Sequence, residues 1–131
     1  MKRFVLVLPV LVVAALAGAA PSVADPAEPG CTVTLTAPEV TDQSGTPMVT
    51  ATARPAACNR AEPMMQVACL QMQGSPTPPK CMSKDGPNTA RVYLAPYQPG
   101  ATYVATGRSC ANAGNPPTTY CRTAGPITAM L

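Results

Sequence analysis

Apolar positions along the chain change period once. Phe4 to Leu16 is an unbroken apolar run with no charge, preceded by Lys2 and Arg3. Beyond it the dominant repeat is two. Thr32-Val33-Thr34-Leu35-Thr36, Val49-Thr50-Ala51-Thr52-Ala53 and Ala90-Arg91-Val92-Tyr93-Leu94 alternate, as does the stretch Tyr103 to Ser109. Such alternation predicts half-buried strands. Met64 to Met72 is denser in apolar residues and suits a central strand, and Thr118 to Thr123 supplies a last one. Between them lie the turn signals Asp42-Gln43-Ser44-Gly45, Asp85-Gly86-Pro87, Gln98-Pro99-Gly100 and Ala113-Gly114-Asn115-Pro116-Pro117. Helix-period patterns are absent here. Fifteen of the 17 prolines fall beyond residue 24, close enough together to break any helix longer than two turns.

The first apolar run reads as a signal peptide, with a basic start, a short apolar core and small residues after it. Two A-x-A-type cleavage sites follow, Ala17-Gly18-Ala19 and Ser22-Val23-Ala24. The second is favoured, because Asp25-Pro26 puts a charge and a helix breaker just past the cut. The expected organisation is a signal peptide over 1–24, a short Pro-rich segment over 25–30 and one domain over 31–131. The run is too short for a confident membrane span. Export implies a secreted or cell-envelope location, with no span left in the mature chain.

All six cysteines, Cys31, Cys58, Cys69, Cys81, Cys110 and Cys121, lie beyond the leader. An even set of thiols sent to an oxidising space implies a disulfide framework. Spacing alone cannot choose among fifteen connectivities. The strand reading favours Cys31–Cys58, Cys69–Cys81 and Cys110–Cys121, each pair stapling one hairpin at its strand ends. Evenly spaced short strands between Pro and Gly turns then give an all-β fold, an antiparallel sandwich of about six or seven strands.

Tyr97-Gln98-Pro99-Gly100-Ala101-Thr102-Tyr103 resembles the L-x-P-G-x-x-Y turn of fibronectin type III and related immunoglobulin-like domains. The resemblance implies that Tyr103 is the corner residue bonding back to the turn, with Pro99-Gly100 as the turn itself. Tyr97 stands where that family prefers leucine, and the Trp such domains usually bury is missing, since the chain has none. The cysteine spacing is nearer the hairpin-spanning bridges of the small secreted actinomycete sandwiches that carry enediyne chromophores. The Ala/Pro/Thr-rich leader and mature start likewise resemble exported actinobacterial, in particular mycobacterial, proteins.

Composition removes most chemistry. There is no His, so the usual general base and the usual partner of a nucleophilic Ser or Cys are missing. No phosphate loop, nucleophile elbow or trusted carboxylate pair stands out, so the chain is expected to be non-enzymatic and to need no cofactor or metal. Lys2 and Arg3 account for two of the nine basic residues, leaving seven against six acidic ones. That near-balance, without basic runs, argues against a nucleic-acid partner. Three features remain. Met64, Met65, Met72 and Met82 flank Cys69 and Cys81 and raise a thioether copper site, although gap-filling core methionines are the plainer reading. Ser75-Pro76-Thr77-Pro78-Pro79-Lys80 forms a short polyproline-like loop. Tyr93, Tyr97 and Tyr120, with Arg91, Arg108 and Arg122, fall on or beside the last three strands and offer a contact surface. The leading expectation is a binding module for a protein or glycan partner. A small apolar ligand carrier is the alternative.

Overall fold

The computed structural model describes residues 28–131. The signal peptide over 1–24 lies outside them, as does the segment 25–30 apart from Glu28, Pro29 and Gly30. Eight strands and no helix follow among the described residues: β1 (Gly30–Leu35), β2 (Glu39–Gln43), β3 (Thr46–Asn59), β4 (Glu62–Met72), β5 (Lys80–Asp85), β6 (Ala90–Leu94), β7 (Thr102–Ala113) and β8 (Thr118–Met130). The chain is thus all-β, with every pairing antiparallel.

Two sheets form. In the first, β3 is central: β6 pairs along one edge, while β1 and β2 share the other, Leu35 opposite Ala53 and Glu39 opposite Thr50. Pro38, which has no N–H to give, sits buried between them at the break. The second sheet has the order β5-β4-β7-β8. The chain changes sheet between β3 and β4, between β5 and β6, and between β6 and β7. This arrangement is a two-sheet antiparallel sandwich, with β5 beside β4 on the sheet of β7 and β8.

Eight strands stand where six or seven were expected. The additions are β2 and β5, whose residues are almost all exposed and so lack the alternation that marks a half-buried strand. β8 also runs past Thr123 to Met130, through Gly125 and Pro126. That passage is a bulge: between the pairs Ala105–Ile127 and Gly107–Ala124, two β8 residues oppose Thr106 alone. Pro126 is tolerated because the bulge asks no ladder donor of it.

The inner faces meet in a core of small side chains. Val49, Ala51 and Ala53 of β3, Ala90 and Val92 of β6, Ala68 and Leu70 of β4, and Tyr103 and Ala105 of β7 are all buried. The sheets approach closely at Gly107, where an added Cβ would lie 3.2 Å from both Ala53 Cβ and Leu35 Cδ1. Alanine and glycine thus do the work of a missing tryptophan: the gap is narrowed instead of filled.

The segment from Tyr97 to Tyr103 forms a turn closed by a side-chain hydrogen bond. Tyr103 is 1% exposed, and its hydroxyl accepts a hydrogen bond from Gln98 N at 2.9 Å. Gly100 takes φ +81°, which suits glycine. Gly100 N donates to Leu131 O at 2.6 Å, so the turn also holds the end of β8. Tyr97 packs against the core in the place of the expected leucine.

The disulfides are Cys31–Cys58, Cys69–Cys81 and Cys110–Cys121. Each joins residues directly opposite in register, with Cα atoms 4.0–4.1 Å apart. The last two staple hairpins. The first does not: β2 intervenes in the chain, so it ties β1 to β3 across a strand-to-strand pairing. Every bridge lies within a sheet, and none crosses between sheets.

One patch of the interior is polar. Gln66 and Ser109 are both 0% exposed and face each other in register. Gln66 Nε2 donates to Gly86 O at 3.1 Å, while Gln66 Oε1 and Ser109 Oγ have no hydrogen-bond partner among the described residues. A buried hydroxyl without a partner costs about 1–3 kcal/mol. Ser109→Ala is therefore expected to raise stability by about 1 kcal/mol, read as a higher urea midpoint at unchanged slope. A lower midpoint would show that the hydroxyl is satisfied in solution.

Candidate functional site: the outer face of the second sheet

Positions 66, 68 and 70 of β4 and 105, 107 and 109 of β7 are buried against the first sheet. The intervening residues therefore point outward, and the register assembles them into rows. Asp85, Met65, Cys110 and Cys121 form one row across β5-β4-β7-β8; Ser83, Val67, Arg108 and Thr123 form the next. Cys81, Cys69 and Thr106 make a third, and Gln71, Val104 and Thr128 a fourth. Two disulfides thus lie on this one face, with Met65, Val67 and Val104 half-buried around them.

A shallow groove of about 410 Å³ crosses the face. Val67, Cys69, Thr106 and Arg108 line one side of it, and Thr123, Ala124 and Gly125 the other. It opens where β8 bulges, because Gly107 and Gly125 bring bare backbone to its wall. Arg108 is exposed, and its guanidinium forms no hydrogen bond or ion pair among the described residues. A cation with five free donors thus stands in the middle of a largely uncharged surface.

The six Tyr and Arg residues expected to share a surface do not share one. Arg91 and Tyr93 lie on the outer face of the first sheet, opposite Thr52 and Thr50. Arg108 lies on the outer face of the second. Tyr120 and Arg122 take the inward parity, opposite Ala111 and Ser109, and are half-buried. Arg122 Nη2 donates to Glu28 O at 2.6 Å, so it fastens the start of the described chain. Tyr97 lies in the β6–β7 connection. The expectation failed because β6 belongs to the first sheet while β7 and β8 belong to the second.

The methionines do not converge either. Met65 points outward, whereas Met72 and Met82 sit opposite Tyr103 and Ala68 with inward parity. Met64 occupies the bulge between Pro63 and Met65. Among the described residues there is no group of three or more His, Cys, Asp or Glu able to hold a metal ion, and no helix long and apolar enough to cross a membrane. The Ser75–Lys80 loop is tied internally: Ser75 Oγ and Thr77 Oγ1 hydrogen-bond each other, and Gln71 Nε2 donates to Thr77 O at 3.4 Å.

No protein-family model matches the chain, and no curated protein and no solved structure matches it either.

Proposed function

We propose that this chain is a secreted or cell-envelope binding module without catalytic activity, and that it docks a protein partner on the outer face of the second sheet. The carrying observation is the unpaired Arg108 set among half-buried Met65, Val67 and Val104 and two disulfides. Arg and Met are favoured at the centres of protein interfaces, where Lys, Glu and Asp are depleted. Within these rows the one acidic residue, Asp85, lies at the β5 edge. The face is built from paired, crosslinked strands, so little ordering entropy is lost on docking. Three disulfides fit the oxidising compartment this reading needs.

The test compares Arg108→Glu with Arg91→Glu, an equal charge reversal on the other sheet's outer face. Arg108→Glu is expected to weaken capture of the partner from the extracellular and envelope fraction by ten-fold or more, about 1.4 kcal/mol. Arg91→Glu should leave capture unchanged. Equal capture by both variants removes the proposed face. The groove of about 410 Å³ favours a second reading, carriage of a small apolar ligand. Native mass spectrometry of the secreted protein separates the two readings, since a carrier leaves with its cargo.

A further inference from the structure

A second cavity lies at one end of the sandwich, bordering the outer face just described at Gln71. It is open to solvent on one side and holds about 190 Å³ between the loop after β4 and the loop after β6. Its lining includes Leu70, Met72, Leu94 and Tyr103, with Pro78 from one loop and Pro96 from the other. Leu70 and Tyr103 are 0% and 1% exposed, so the cavity reaches the core. Ser75, Thr77 and Gln98 bring polar groups to it, and the two hydroxyls already bond each other.

Size restricts the occupant. An apolar protein cavity of about 150 Å³ takes a benzene molecule. The present volume fits one ring with a small substituent. The wall favours a ring over an alkyl group, because a thioether makes favourable contacts with aromatic faces.

Tyr103 adds a polar requirement. Its hydroxyl accepts the Gln98 N–H, and among the described residues the phenolic proton goes to no protein acceptor. Both partners of that bond line the cavity. A buried O–H donor with one role unused is best satisfied by an acceptor brought in with the ligand.

We infer that this end cavity binds a neutral monocyclic aromatic molecule carrying one hydrogen-bond acceptor, which the Tyr103 hydroxyl recognises. The corner tyrosine then has two jobs on one oxygen: it accepts from the turn and donates to the ligand.

The experiment is a titration of the isotope-labelled, fully oxidised protein, followed by amide shifts, with acetophenone and with ethylbenzene. The two probes share a ring and differ in the carbonyl. Acetophenone is expected to bind saturably with a Kd on the order of 1 mM or tighter. The shifts should centre on Ser75, Leu94 and Tyr103. Ethylbenzene should bind the same residues about ten-fold more weakly, the worth of one hydrogen bond. In Tyr103→Phe the two probes should bind alike. Leu94→Phe, which fills the cavity and spares the corner bond, should abolish both and keeps the proposal testable should Tyr103→Phe fail to fold. Equal binding of the two probes to the unaltered protein overturns the role of the hydroxyl. Shifts confined to Val67, Thr106 and Arg108, or no saturable shift, overturn the site. Tighter binding of N-acetylphenylalaninamide than of acetophenone overturns the free-ligand assignment in favour of an aromatic side chain on a peptide.

Discussion

Reduction of the three disulfides is expected to unfold the domain at 25 °C. The bridges span sequence separations of 27, 12 and 11 residues. Loop-closure entropy assigns each about 3 kcal/mol, or roughly 9 kcal/mol together. A whole domain of this size is stable by only about 5–15 kcal/mol, and this core is built largely from alanine and valine. The reduced chain should therefore lose its dispersed amide spectrum, and restoring oxidant should recover it. Removal of single bridges should follow loop length. The Cys31→Ala/Cys58→Ala pair should cost most, because it opens the longest loop and truncates Cys31, which is 0% exposed. A reduced protein that keeps native amide dispersion would show that the sheets hold without their staples.

Gly125→Ala is expected to be the most damaging single methyl addition in the second sheet. A Cβ there would stand 2.7 Å from Ala105 O and 2.9 Å from Leu35 Cδ2, on a backbone at φ +88°. Gly74 has a similar φ of +80° and nothing within 4 Å of its Cβ position, so Gly74→Ala measures the conformational part alone, about 1–2 kcal/mol. Gly125→Ala adds overpacking against backbone, for a total of about 3 kcal/mol or more. Chemical denaturation of the two variants isolates the clash. Equal costs would mean that β8 shifts outward to relieve it. In that case the groove beside Arg108 would change shape, and partner capture would fall with no loss of stability beyond that of Gly74→Ala.

What could be read from the residues alone was whatever depends on alternation and on strand ends. The disulfide pairing is one example, because the cysteines lie in or beside the strand segments and each faces its partner across a ladder. The corner is another, since the turn, the glycine and Tyr103 are contiguous. β5 stayed hidden: Lys80, Met82 and Lys84 share one parity, yet every residue of the strand is exposed, so no buried stripe marks it. Its lysines are the charges that keep an edge strand from pairing with another chain. The site stayed hidden for a different reason. Which face a residue occupies depends on every bulge before it, and bulges interrupt β3, β4 and the β7–β8 pairing. Ala124 and Ile127 both face Gly107 and Ala105 on the inner side although three positions separate them. A simple count of two would have placed one of them outside.

The bridges also carry information about order. Along the chain the pairing is first with second, third with fourth, fifth with sixth. The three closed loops are consecutive, neither nested nor threaded through one another. A chain delivered N-terminus first into an oxidising space would therefore meet each correct partner as the very next cysteine to arrive. Nearest-in-time oxidation and native oxidation then coincide, and native pairing would need no reshuffling by an isomerase.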